Sequence, residues 1–158
     1  MMKVWGTESE RAYIYVHGMN GSKDDAEGFA GTAERFGYQV VSFDVRSFDP
    51  VNTLPELEGV YSFAAERWEN VSLYAVSIGV WYSMVCFRGR SFAQTLLVSP
   101  VVSPERDNIP PRHEIEGFAK KFACELSVLP DAEHWIHTSS ELEFLRQWEE
   151  SALTQQLC

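Results

Sequence analysis

Val71-Ser72-Leu73-Tyr74-Ala75-Val76-Ser77-Ile78-Gly79-Val80-Trp81-Tyr82 changes character halfway along. Val71 to Val76 is a short apolar run of the kind that forms a buried strand. The residues after Gly79 are apolar enough for a buried helix. Between them stands Ser77, with Ala75 two positions before it and Gly79 two positions after. Small residues at those places allow a sharp strand-to-helix turn, which exposes the hydroxyl and sets the N–H groups of a helix N-terminus behind it. The usual pattern is G-x-S-x-G; Ala75 departs from it but is sterically tolerable. The string alone is common by chance and would then be an ordinary Ser in a turn. Its place between a strand and an apolar helix makes Ser77 a candidate nucleophile.

Working outward, the same strand-then-helix reading repeats. Lys3-Val4-Trp5 is a candidate edge strand, and Tyr13 to Val16 is a buried strand closed by His17-Gly18. From about residue 24 to 36, Phe29, Ala30, Ala33 and Phe36 form one helical stripe, with Gly37 as its stop. Tyr38 to Phe43 is the next strand, ending at Asp44. Thr53 and Glu56 have capping-box spacing, Pro55 suits a first turn, and Leu57, Val60, Ala64 and Trp68 continue as a stripe. Thr95 to Val98 is a fourth strand, followed by a helix opened by Pro110-Pro111 and striped by Ile115, Phe118, Ala119 and Phe122. Glu125 to Leu129 reads as a last strand. A final helix from about residue 139 has Thr138 and Glu141 as a second capping pair and Leu142, Leu145 and Trp148 facing inward.

Such alternation predicts an α/β fold: a three-layer α/β/α sandwich around a mostly parallel sheet of roughly five strands. With no repeat, low-complexity run or linker, the expectation is one domain over residues 1–158. The net charge of −10 argues against a nucleic-acid partner, whose phosphates need Lys and Arg. Cys86, Cys124 and Cys158 show neither disulfide-framework nor zinc spacing, so no metal is expected and a reducing cytoplasm fits. The polar start and the lack of a long apolar run argue against a signal peptide and a membrane span.

Ligands of this architecture bind beyond the carboxyl ends of the strands. After the first buried strand, His17-Gly18-Met19-Asn20-Gly21 can turn backbone N–H groups into a site, so the N–H groups of Met19 and Ile78 are the candidate oxyanion hole. His17 itself reads better as a structural loop residue than as a base. A Ser hydroxyl needs an imidazole to take its proton. His134, after the last expected strand, is the candidate base, ahead of His137 at a helix start and His113 in a solvated first turn. The acid that orients it is sought among Asp44, Asp107, Asp131 and Glu133. Asp107 is favoured, because it follows the fourth strand and gives the chain order Ser, Asp, His. Asp131 and Glu133 are too local to His134, and a strand-ending Asp such as Asp44 usually caps a turn.

Together, His17-Gly18-Met19-Asn20-Gly21-Ser22-Lys23-Asp24, the Ser77 segment, Leu97-Val98-Ser99-Pro100-Val101-Val102 and Glu133-His134-Trp135-Ile136-His137-Thr138 resemble small bacterial α/β-hydrolases of the serine-esterase type. The likeness covers nearly the whole chain. It implies a Ser77–His134–Asp107 triad, with Glu105-Arg106-Asp107-Asn108 matching the acid-bearing motif, and needs no cofactor. Two departures stand out. Only Val101 to Pro104 separate the Ser-Pro-Val segment from the acid motif, where the family carries a helical cap and a strand, and the loop after Asp44 lacks a Gly-His-Gly stretch. The expectation is therefore a minimal α/β-hydrolase fold, similar to the cutinase-like form, cleaving small carboxylic esters. With no cap, acyl groups would lie in an open groove, which favours short chains. Thioesters would use the same machinery. The competing expectation, prompted by the lost segment and Ala75, is an impaired relative that binds a ligand or protein. A third reading, a flavodoxin-like cofactor binder, lacks a phosphate-binding pattern after the first strand. A strand edge bared by the lost segment would also offer a surface for self-association.

Overall fold

The computed structural model describes residues 2–101, 111–129, 132, 134 and 136–155. Among the described residues five strands form one sheet: β1 (Met2–Trp5), β2 (Arg11–Val16), β3 (Gln39–Phe43), β4 (Asn70–Val76) and β5 (Thr95–Val98), in the order β1-β3-β2-β4-β5. Only β1 runs antiparallel, pairing Met2 with Phe43 and Trp5 with Val40; the other four are parallel. The helices are α1 (Glu27–Arg35), α2 (Pro50–Arg67), α3 (Ile78–Cys86), α4 (Arg112–Phe122) and α5 (Ser139–Gln155), and a 3-10 turn (Lys23–Ala26) leads into α1.

Both faces of the sheet are covered, which is why its central strands are apolar at successive positions instead of alternating. Ala12, Ile14 and Val16 of β2 meet Leu57, Val60 and Ala64 of α2 and Val80 of α3 on one face. Tyr13 and Tyr15 meet Phe29, Ala30 and Ala33 of α1 and Leu153 of α5 on the other. Strand order reverses about β2, whose neighbours β3 and β4 are both reached by crossovers, and folds of this kind bind ligands beyond the strand ends at such a reversal.

Several local expectations move. The helix expected from Thr53 begins one turn earlier, at Pro50, because Asp49 caps it by accepting from Asn52 N at 3.0 Å. Thr53 is buried instead and donates to the Ser47 carbonyl, while Glu56 pairs with Arg46 at 2.7 Å. The capping pair of α5 forms as expected: Thr138 N–H donates to Glu141 at 2.8 Å, and Glu141 N–H donates to the Thr138 hydroxyl at 3.3 Å. On that helix Leu145 and Trp148 pack inward, but Leu142 is half exposed, and so is Phe122 at the end of α4.

The largest correction concerns Glu125 to Leu129, which is not a strand. Leu126 and Val128 remain partly exposed, and the segment stands across a cavity from β5 with no ladder between them. A strand needs an edge within hydrogen-bonding reach, and apolar alternation does not supply one. The fifth strand is β1, tied down by the Trp5 indole N–H donating to the Ser42 hydroxyl at 2.7 Å. No helix among the described residues is long and apolar enough to cross a membrane.

Candidate active site

Ser77 ends β4 and opens α3 with φ 54° and ψ −124°, a conformation that non-glycine residues rarely adopt. Its backbone is clasped from the next strand. Ser77 N–H donates to the Val98 carbonyl at 2.9 Å, and the Ser77 carbonyl accepts from Val101 N at 3.1 Å. Strain of this kind persists where the surroundings over-determine it. The turn is also crowded from below. A Cβ on Gly79 would stand 2.5 Å from the His17 carbonyl oxygen and 3.0 Å from that of Val16, so backbone meets backbone there. Ala75, by contrast, is buried in the core with its methyl accommodated, which explains why the smaller residue is dispensable before the serine and required after it.

His134 Nε2 stands 2.8 Å from Ser77 Oγ, although the two are 57 positions apart in the chain. Half-burial pushes the imidazole pKa below its ordinary 6.5, since the charged form loses hydration. The neutral ring can therefore accept the serine hydroxyl proton at Nε2 when its own proton is on Nδ1.

Of the four carboxylates considered as the orienting acid, Asp107, Asp131 and Glu133 lie outside the described residues. Asp44 is engaged elsewhere: it accepts from Lys23 N at 3.0 Å and pairs with the Lys23 ammonium at 3.2 Å. Both interactions favour its charged form and hold its pKa down.

The loop after β2 approaches the serine closely. A Cβ on Gly18 would come 3.0 Å from the Cβ of Ser77. Beyond it the chain turns back, Gly21 N donating to the Gly18 carbonyl at 3.1 Å, with Asn20 left-handed at φ 61°. Met19, the next residue after Gly18, is thus held beside Ser77 with its side chain exposed. Ile78 is the first residue of α3, where backbone N–H groups have no intrahelical acceptor.

His17 is buried and does not act on Ser77. Its Nε2 accepts from Val45 N at 2.9 Å and its Nδ1 donates to the Gly18 carbonyl at 2.7 Å, which together assign the ring proton to Nδ1. It pins the loop after β2 to the loop after β3. His113 lies exposed in the first turn of α4, and His137 lies just before α5, beside Glu141 at 3.8 Å. Sequence reasoning missed the bracing of the elbow by Val98 and Val101, and the left-handed Ser99 between them, φ 45°. The Ser-Pro pair at 99–100 was the local signal of that bend.

Among the described residues no three His, Cys, Asp or Glu side chains gather as a metal site would require. No family model matches the chain, and no curated protein matches it either. Solved structures do. An α/β serine hydrolase homologue from Coxiella burnetii superposes with a TM-score of 0.77 at 19% identity, covering 96% of this chain and 89% of that one. Est1E from Butyrivibrio proteoclasticus gives 0.81 at 13% identity, covering 99% and 93%. XC6422 from Xanthomonas campestris, described as an α/β serine hydrolase without a lid, gives 0.72 at 18% identity, covering 98% and 88%. Five strands in this order, superposing on those proteins over nearly the whole chain, give this chain the α/β-hydrolase fold.

Proposed function

We propose that the protein is a serine hydrolase that cleaves small carboxylic esters through an acyl-enzyme on Ser77. The observation that carries this reading is the 2.8 Å approach of His134 Nε2 to a serine hydroxyl on a strained strand-to-helix turn. A hydroxyl is a weak nucleophile near neutral pH, and a neutral imidazole at hydrogen-bond distance is what activates it. As Ser77 Oγ bonds to the ester carbonyl carbon, its proton passes to His134 Nε2. The negative charge that develops on the carbonyl oxygen is met by the N–H groups of Met19 and Ile78. The C–O bond to the leaving group then breaks, and His134 returns the proton to the departing alkoxide. Water enters, gives a proton to His134 and attacks the acyl carbon; the second tetrahedral species then collapses, the bond to Ser77 Oγ breaks, and His134 returns the proton to Oγ as the acid leaves.

Asp107 is the acid we assign to orient the imidazole and stabilise its charged form, on the strength of chain order and motif. Thioesters would enter the same sequence of steps. The substrate is a small molecule, and the free thiols of Cys86 and Cys124 support a reducing compartment such as the cytoplasm. The test is hydrolysis of p-nitrophenyl acetate and butyrate by the wild type beside Ser77→Ala and His134→Ala. Turnover that collapses in both variants, by about a hundredfold or more, supports the reading. Folded wild type no faster than the variants overturns it in favour of a binding protein built on a hydrolase fold.

A further inference from the structure

A cavity of about 540 Å³ runs along the outer edge of β5, bounded by α4, α5 and residues 124–129. It exists because α4 buries only Ala119 and because 125–129 does not pair with β5. Leu96, Ile115, Phe118, Leu126, Val128 and Trp148 give it an apolar wall. Its size lies within the roughly 300–1,000 Å³ of small-molecule sites. Among the described residues of its lining the charged ones, Arg112 and Glu125, are exposed, and Arg112 is held by Glu116 at 2.7 Å. The cavity thus suits an uncharged, apolar occupant.

Its position points to what that occupant is. Ser99 and Pro100 belong to the lining, and they form the bend between Val98 and Val101, the two residues that clasp the Ser77 backbone. Ala132 and Ile136 also belong to it, each two positions from His134. Neither Ser77 nor His134 is among the lining residues, but one end of the cavity lies against the chain next to each of them. We propose that it receives the acyl chain of an ester bound at Ser77, so that the preferred substrates carry medium-length, unbranched acyl groups in place of the short ones that an open groove favours. The proposal rests on the serine-hydrolase reading and narrows it.

The experiment is a chain-length series of p-nitrophenyl esters from acetate to octanoate, below their aggregation limits. Each methylene moved from water into an apolar site favours binding about fourfold. Octanoate should therefore exceed acetate in kcat/KM by at least about a hundredfold. Two variants fill the cavity from opposite walls, Ala119→Phe on α4 and Ala152→Phe on α5. Each should reduce the octanoate-to-acetate ratio about tenfold while leaving acetate hydrolysis within about twofold of wild type. Circular dichroism melts confirm that each variant is folded, and either one alone suffices.

A second measurement separates this proposal from the reading beneath it: calorimetric titration of sodium decanoate into Ser77→Ala, with and without Ala119→Phe. Ester turnover that ignores chain length, with no decanoate binding, overturns the acyl cavity and leaves the hydrolase intact. Decanoate binding that Ala119→Phe abolishes, in a protein whose wild type cleaves no ester, keeps an apolar-chain site and sinks the hydrolase.

Discussion

The Tyr74 hydroxyl donates a 2.6 Å hydrogen bond to Oε1 of Glu149 in the interior, joining β4 to α5. Tyr74 lies three positions before Ser77, its ring stacked on Tyr15 of β2 at 5.2 Å, and Glu149 is only 4% exposed. A carboxyl so placed loses its hydration, and burial pushes its pKa up to about 7; the hydrogen bond from Tyr74 opposes that shift and the neighbouring Glu150 adds to it. The same helix follows the segment that carries His134.

Stability should consequently fall on the alkaline side through Glu149. In the unfolded chain the carboxyl titrates near its ordinary 4.5; in the folded protein it titrates near 7. Below 4.5 both states hold the proton and the shift has no effect. Between the two values only the unfolded chain ionises, so stability declines as pH rises, and the full loss of about 3 kcal/mol is present above 7. Glu149→Gln keeps an acceptor for Tyr74 and removes the charge. Urea unfolding should find it more stable than wild type at pH 8 by up to that amount, with the gap closing toward pH 5. A gap that does not vary with pH refutes the assignment.

Ser77→Gly should stabilise the protein relative to Ser77→Ala. Both lose the hydroxyl, but only glycine relaxes at φ 54° and ψ −124°. A difference of about 1 kcal/mol in favour of glycine is expected, read as a shift in melting temperature.

Gly79→Ala should do the opposite. Its methyl would meet the His17 carbonyl at 2.5 Å, and neither backbone can move without opening the elbow. A loss of about 1–3 kcal/mol is expected, with hydrolysis reduced well beyond what the stability change explains. The matching Ala75→Gly change should be nearly silent for activity, because that position already tolerates a methyl.

His134 should titrate below 6.5, since burial is the force on it. Proton NMR of the imidazole checks this directly. The base is active when neutral, so the acid limb of kcat/KM should share that midpoint, with activity rising as pH increases through it. A midpoint above 6.5 would mean that a nearby carboxylate outweighs burial.

Much of this protein could be read locally. The five strands, the strand-to-helix turn at Ser77 and the Thr138–Glu141 cap all follow from short apolar runs, period-3.6 stripes and turn chemistry, which depend on neighbours a few residues away. The helix α2 shows the limit of that approach. Thr53 and Glu56 had the right spacing for a cap, yet Asp49 took the role, because Thr53 found Ser47 and Glu56 found Arg46.

Residue order alone made Ser77 a nucleophile candidate and kept His17 from being taken for its base, because both readings rest on small residues and short loops. Distant contacts decided the rest. Whether Glu125–Leu129 joins the sheet depends on its reach to β5, and whether His134 meets Ser77, 57 positions before it, depends on how the chain between them packs. Nothing in the local pattern around Glu149 marks it out; burial beside Tyr74 makes it an internal acid. Local pattern says which side of an element avoids water; only the assembled chain says what stands there instead.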